Sequence, residues 1–160
     1  MNAAQTLRLS LDPADITVFL QHPLLSTAPK RRRVHQTIFD TPERTLARQG
    51  LSVEETRVLR KTTLAVRQQG EGGHEWSAPT TAGTFDFATL IDSPKTAEHL
   101  TQYAAMLVPL FTLDLGQRLW TVQIRSTQVE VVPEDGTLAT GHDAVHRATR
   151  LCELQLRLIA

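Results

Sequence analysis

The chain has 160 residues, with 17 Lys and Arg balanced by 17 Asp and Glu and a hydrophobic fraction of 41%. That length fits a single domain over 1–160, and zero net charge argues against a duplex nucleic-acid binder, whose phosphates reward an excess of Lys and Arg; the 5% aromatic content is too small for a base-stacking platform. No apolar run approaches the roughly 18 residues of a membrane helix, Met1–Gln5 carries no basic-then-apolar leader, and Cys152 is a lone cysteine, so a cytoplasmic protein folding without disulfides is expected.

Near the start, Leu7, Leu9 and Leu11 alternate with Thr6, Arg8 and Ser10, the period-2 signature of a strand with one apolar face. Asp12-Pro13 reads as an N-cap and first-turn proline for a short helix carrying Ile16, Phe19 and Leu20 and ending before Pro23. Lys30-Arg31-Arg32-Arg33 is either a solvated basic loop or a rim that attracts anions. Strand-like runs follow at 34–39, 51–58, 61–69 and 73–78. Thr41-Pro42-Glu43 opens a second short helix that Gly50 can end. The glycine-rich Gln69–Gly73 segment lacks the Lys-Ser/Thr of a phosphate loop and reads as a hairpin turn. Ser93-Pro94 starts a third helix with Ala97, Leu100, Ala104 and Leu107 on one face and Pro109 as its stop.

Further on, runs at 119–125 and 127–132 suggest a hairpin around Arg125-Ser126-Thr127-Gln128, where the apolar parity switches. Leu154, Leu156 and Leu158 then alternate with Glu153, Gln155 and Arg157. The pattern predicts a β-dominated α+β chain, an antiparallel barrel or closed sheet with a few helices. Arg8, Glu153 and Arg157 then either face water or line a lumen that holds a polar ligand. His142 and His146, four apart, are a weak metal-clamp candidate without the glutamate of a zinc-protease motif. His35 reads as a strand residue, Cys152 as a buried reduced thiol, and Trp76 and Trp120 as wall or core residues.

The stretch Thr37-Ile38-Phe39-Asp40-Thr41-Pro42-Glu43, with Leu46 and Gly50-Leu51, resembles the Y-F-D-T-P…L…G-L signature of the CYTH domain, or triphosphate tunnel metalloenzymes. Asp12-Pro13, His22-Pro23-Leu24-Leu25, Glu75-Trp76, Leu110-Phe111-Thr112, Trp120, Val129-Glu130-Val131 and Cys152-Glu153-Leu154 follow in register. The resemblance implies one CYTH-like domain forming a closed eight-stranded antiparallel tunnel. In that family the tunnel binds triphosphate-containing substrates, and its enzymes hydrolyse or cyclise them with Mg²⁺ or Mn²⁺. A triphosphate needs Arg and Lys donors, and Mg²⁺ needs hard carboxylate oxygens.

This chain departs from the family pattern where the chemistry resides. The N-terminal E-x-E-x-K falls on Ala4-x-Thr6-x-Arg8, the basic pair after Gly-Leu on Glu54 and Thr56, and the final E-x-E-x-E on Glu153-x-Gln155-x-Arg157. Family E-W-E is Glu75-Trp76-Ser77; an expected arginine after Phe111-Thr112 falls on Asp114, or on Arg118 after a slip. By this correspondence the phosphate donors are Arg8, Arg57, Arg67 and Arg157, and the metal ligands Glu75, Glu130 and Glu153. The resulting expectation is a divergent tunnel domain that binds polyphosphate, triphosphate or a nucleoside triphosphate with weak or no catalysis. Binding then needs no cofactor, while Mg²⁺ or Mn²⁺ serves any catalysis. The alternatives are a metal-dependent triphosphatase with a relocated site and a protein-interaction module, with a CHAD-type protein as a conceivable partner. No membrane or specific nucleic-acid partner is expected.

Overall fold

The computed structural model describes residues 5–70, 73–140 and 147–159. They form a β-dominated α+β fold with one eight-stranded antiparallel sheet. The strands are β1 (Thr6–Ser10), β2 (Lys30–Asp40), β3 (Leu51–Val58), β4 (Lys61–Gln68), β5 (Glu75–Pro79), β6 (Val108–Ile124), β7 (Thr127–Thr140) and β8 (Arg147–Leu158). The helices are α1 (Ile16–Leu20), α2 (Thr45–Arg48), α3 (Phe87–Leu90) and α4 (Pro94–Tyr103). Hydrogen bonding orders the sheet β1-β8-β7-β6-β2-β3-β4-β5. The expected closure is not made by hydrogen bonds among the described residues, because the sheet ends on two short edge strands, β1 and β5, of five residues each. No helix among these residues is long and apolar enough to cross a membrane. The His142–His146 pair and Ala4 lie outside the described residues.

The chain divides into two compact units, the first comprising Met1–Val34, Asp114–Leu138 and Thr149–Ala160, the second His35–Leu113 and Ala139–Ala148. In the first unit the two terminal strands pair as their alternation predicts. Leu7 lies opposite Leu156 and Leu9 opposite Leu154, while Thr6, Arg8 and Ser10 face Arg157, Gln155 and Glu153. On the leucine face Leu154 joins a core of Leu25, Trp120, Val122 and Val131, with Leu156 and with Phe19 and Leu20 of α1 packed on it, while Leu7 and Leu9 stay exposed. Trp120 is thus a core residue, and its indole Nε1 donates to the Thr27 carbonyl at 2.7 Å. The first helix begins at Ile16 rather than at Pro13, because Asp12 accepts from the Ala14 amide at 2.9 Å and closes a turn there instead. The predicted hairpin forms, with Arg125 at φ 55° in its turn. Cys152 is a buried free thiol whose proton burial holds more tightly than usual.

β6 and β7 are far longer than the predicted runs, and they approach closely where Gly136 passes β6. A Cβ at Gly136 would sit 1.9 Å from the Asp114 carbonyl oxygen, so only glycine fits that crossing.

In the second unit Phe87, Leu46, Leu100, Val53 and Val66 are fully enclosed, each contributing about 1.5–3 kcal/mol by removal from water. α4 starts with Pro94 at its first turn, as predicted, and buries Ala97 and Leu100. α3 has four residues, too few to declare a helical period in sequence. The Asp-Thr-Pro motif explains α2. The buried Asp40 carboxylate accepts from the amides of Thr41 (2.7 Å), Leu46 (2.9 Å) and Ala47 (3.0 Å), and the Thr41 hydroxyl accepts from the Thr45 amide at 3.0 Å. Gly50, at φ 71°, ends the helix. An Asp40→Ala change strands these buried donors and should destabilise the protein by about 2 kcal/mol or more. Urea unfolding of the variant checks this, and an unchanged midpoint would refute the capping role.

Candidate functional site

Strand alternation gives each unit a polar sheet face opposite its apolar core. In the first unit this face carries Arg8 and, across the β1–β8 ladder, Glu153, Gln155 and Arg157. β7 adds Glu130 and Glu134, while its Val129 and Val131 turn toward the core. The same face receives Gln117 from β6 and Arg32 from β2.

These side chains form a row across neighbouring strands. Arg32 Nε donates to Gln117 Oε1 at 2.5 Å. Gln117 Nε2 donates to Glu134 Oε1 at 2.5 Å, and Gln155 Nε2 donates to the same oxygen at 2.7 Å. Arg8 stands opposite Gln155. The row therefore reads Arg8, Gln155, Glu134, Gln117, Arg32, with a cation at each end. Glu134 is only 3% exposed. Burial raises its pKa above the ordinary 4.5; the hydrogen bond from Gln117 and the charges of Arg8 and Arg32 pull it down, and Glu153 pushes it up. Elsewhere on the face Arg157 Nη1 lies 3.4 Å from Glu130 Oε1.

The basic run is thereby divided by alternation. Arg32 enters the polar row, while Arg33 pairs with Asp114 at 2.9 Å as an exposed bridge, an arrangement worth at most about 1 kcal/mol.

In the second unit the polar face is built around Arg67 of β4. Its Nη1 donates to both oxygens of Glu54, at 3.0 and 2.8 Å, and its Nε lies 3.3 Å from Glu75 Oε2. Gln36 Nε2 donates to Glu54 Oε2 at 2.9 Å. Burial of Arg67 disfavours its charge, but Glu54 and Glu75 outweigh that and hold the guanidinium more firmly protonated than usual. Trp76 lies on the other face, packed on the core, its Nε1 donating to Asp92 Oδ1 at 2.7 Å.

The structure brings the sequence-derived residues together selectively. Arg8, Arg157, Glu130 and Glu153 share one polar face in the first unit; Arg67 and Glu75 pair in the second. Arg57 does not join Arg67: the β3–β4 register puts it on the face of Val53, opposite to that of Glu54, and it is exposed. Among the described residues no three His, Cys, Asp or Glu side chains form a group suited to a metal ion. The donor chemistry also disfavours Mg²⁺ or Mn²⁺, which need carboxylate oxygens free for an octahedral shell. Glu54 and Glu75 are taken by Arg67, Glu130 faces Arg157, and Glu134 accepts two amides. Glu134 itself escaped the sequence reading, although its spacing of four from Glu130 signals a shared strand face.

No family model matches the chain, and no curated protein matches it. Solved structures do. A presumptive adenylate cyclase from Bacillus halodurans superposes with a TM-score of 0.58 at 10% identity, over 95% of this chain and 78% of that one. The Hippeastrum protein HpAC1, a presumptive adenylyl cyclase with a dominant triphosphatase activity, gives 0.57 at 13% identity over 97% and 79%. A protein from Pyrococcus horikoshii gives 0.51 at 9% over 99% and 78%. The CYTH-type resemblance therefore holds at the level of fold.

Because Glu134 binds its proton more tightly when folded, it favours the folded state below its ordinary 4.5 and loses that contribution as pH rises through its raised value. Glu134→Gln removes the titration. The melting temperature of the variant should gain on the parent as pH rises from about 4 to 7; a constant difference across that range would contradict the assignment.

Proposed function

We propose that the chain acts as one CYTH-like domain that binds a phosphate-rich anion, such as polyphosphate, triphosphate or a nucleoside triphosphate, with weak or no hydrolysis. The observation that carries this reading is the row on the first unit's polar face, ending in Arg8 and Arg32. Guanidinium groups present planar donors that match phosphate oxygens. Arg157, half exposed and 3.4 Å from Glu130, is available to turn toward a ligand. Arg67 must first release Glu54 or Glu75, so it contributes less despite its charge. The fold likeness supports the ligand class, since HpAC1 is a triphosphatase. The closed tunnel implied by the family resemblance belongs to this proposal as the enclosure for the anion.

Hydrolysis in this reading is weak because Glu75 and Glu130, two of the three carboxylates expected to hold Mg²⁺ or Mn²⁺, already lie against arginines. A bound metal would polarise phosphoryl oxygens, and this chain's donor set does not fit one.

Tripolyphosphate at millimolar concentration should raise the melting temperature, and Arg8→Gln should reduce that shift at least severalfold, while phosphate release in Mg²⁺ or Mn²⁺ stays at background. Absence of any shift removes the reading. Metal-dependent phosphate release that falls sharply in Glu130→Gln and Glu153→Gln would replace it with a triphosphatase.

A further inference from the structure

The buried carboxylate between the two terminal arginines has no role in the anion-binding reading as it stands. We propose that Glu134, clamped by Gln117 and Gln155, is a fixed counter-charge between Arg8 and Arg32 whose oxygen is closed to a divalent cation, so that the site takes its phosphate-rich ligand without one. This rests on the proposed anion-binding function and specifies the charge balance of that same site.

The hydrogen-bond directions carry the argument. Both amides point N–H groups at Glu134 Oε1, at 2.5 and 2.7 Å. A cation approaching that oxygen meets donor hydrogens, and both glutamines must turn away before it can bind. Gln117 cannot turn freely, because its Oε1 is held by Arg32 Nε. An anion meets the opposite situation. Each glutamine Nε2 retains a second N–H, and Arg8 and Arg32 flank the row. The carboxylate keeps these two cations from repelling each other across the face and moderates their pull on a ligand.

The charged and titratable groups facing Glu134 are Arg8 from β1, Glu153 and Arg157 from β8, Glu130 on its own strand and Arg32 from β2; β6 supplies the uncharged Gln117. Burial makes Glu134 readier than an ordinary carboxylate to take a proton as pH falls. Protonation leaves the row with an extra net positive charge and strengthens anion binding.

Isothermal titration of the full chain with tripolyphosphate, in EDTA and in Mg²⁺ from about pH 5 to pH 8, tests this. Binding should persist in EDTA. At neutral pH Glu134→Gln should bind roughly tenfold more tightly and Arg32→Gln roughly tenfold more weakly. The parent's affinity should gain on that of Glu134→Gln as pH falls, the ligand's own protonation being common to both. Weaker binding by folded Glu134→Gln, or parent binding that disappears in EDTA, overturns the counter-charge while leaving anion binding intact. Absence of binding by the parent in both buffers removes the anion-binding function itself, and this inference with it. If Glu134→Gln does not fold, the parent in EDTA and Arg32→Gln decide: EDTA-resistant binding weakened in Arg32→Gln supports the proposal, and any other result overturns it.

Discussion

A carboxylate taken out of water must be surrounded by donors, and the polar face of the first unit is organised around that requirement. Glu134 is buried on β7, and its neighbours on β6 and β8 supply amide hydrogens rather than ammonium or guanidinium groups. Neutral donors satisfy the oxygen without cancelling its charge. The arginines are thereby displaced outward to the ends of the row, where they keep their charge and part of their exposure. A lysine or arginine at position 117 or 155 would instead close an ion pair on Glu134 and remove a neutral donor from the row.

The second unit meets a similar requirement by the opposite route. Glu54 is buried there too, but Arg67 binds it through both oxygens and also approaches Glu75. That cluster sets one guanidinium against two carboxylates and is net negative, whereas the first unit's row sets two arginines against one glutamate and is net positive. Likeness to presumptive cyclases and to a triphosphatase therefore extends to the strand framework.

The terminal strands were legible in the sequence because their leucines alternate strictly, and the register carried Arg8, Glu153, Gln155 and Arg157 onto one face with no further information. The Asp-Thr-Pro motif was equally informative, since a short side chain before a proline turn has few other uses. β6 was under-read because Pro109, Gly116 and Gln117 interrupt its apolar rhythm, so that only its end from Leu119 looked like a strand. β7 was cut short at Val132 because the adjacent Val131-Val132-Pro133 breaks the period of two, and Glu134 was lost with it. Charge marks Arg57 as a candidate, but parity with Val53 sets it on the face opposite Glu54. The partners of Arg67 and Glu134 lie on other strands, and pairings across a sheet leave no mark on local periodicity.

Gly136 gives the arrangement an evolutionary corollary. A single methyl group at that position collides with the Asp114 carbonyl, which pins β7 against β6 two residues beyond Glu134. Descendants of this chain can exchange most exposed side chains without consequence, but any residue larger than hydrogen at 136 slides or lifts the strand and carries Glu134 away from its glutamines. Sequence drift in this lineage is thus opposed at position 136 by the fit of two strands, and invariance there among future relatives would record their alignment rather than a chemical duty.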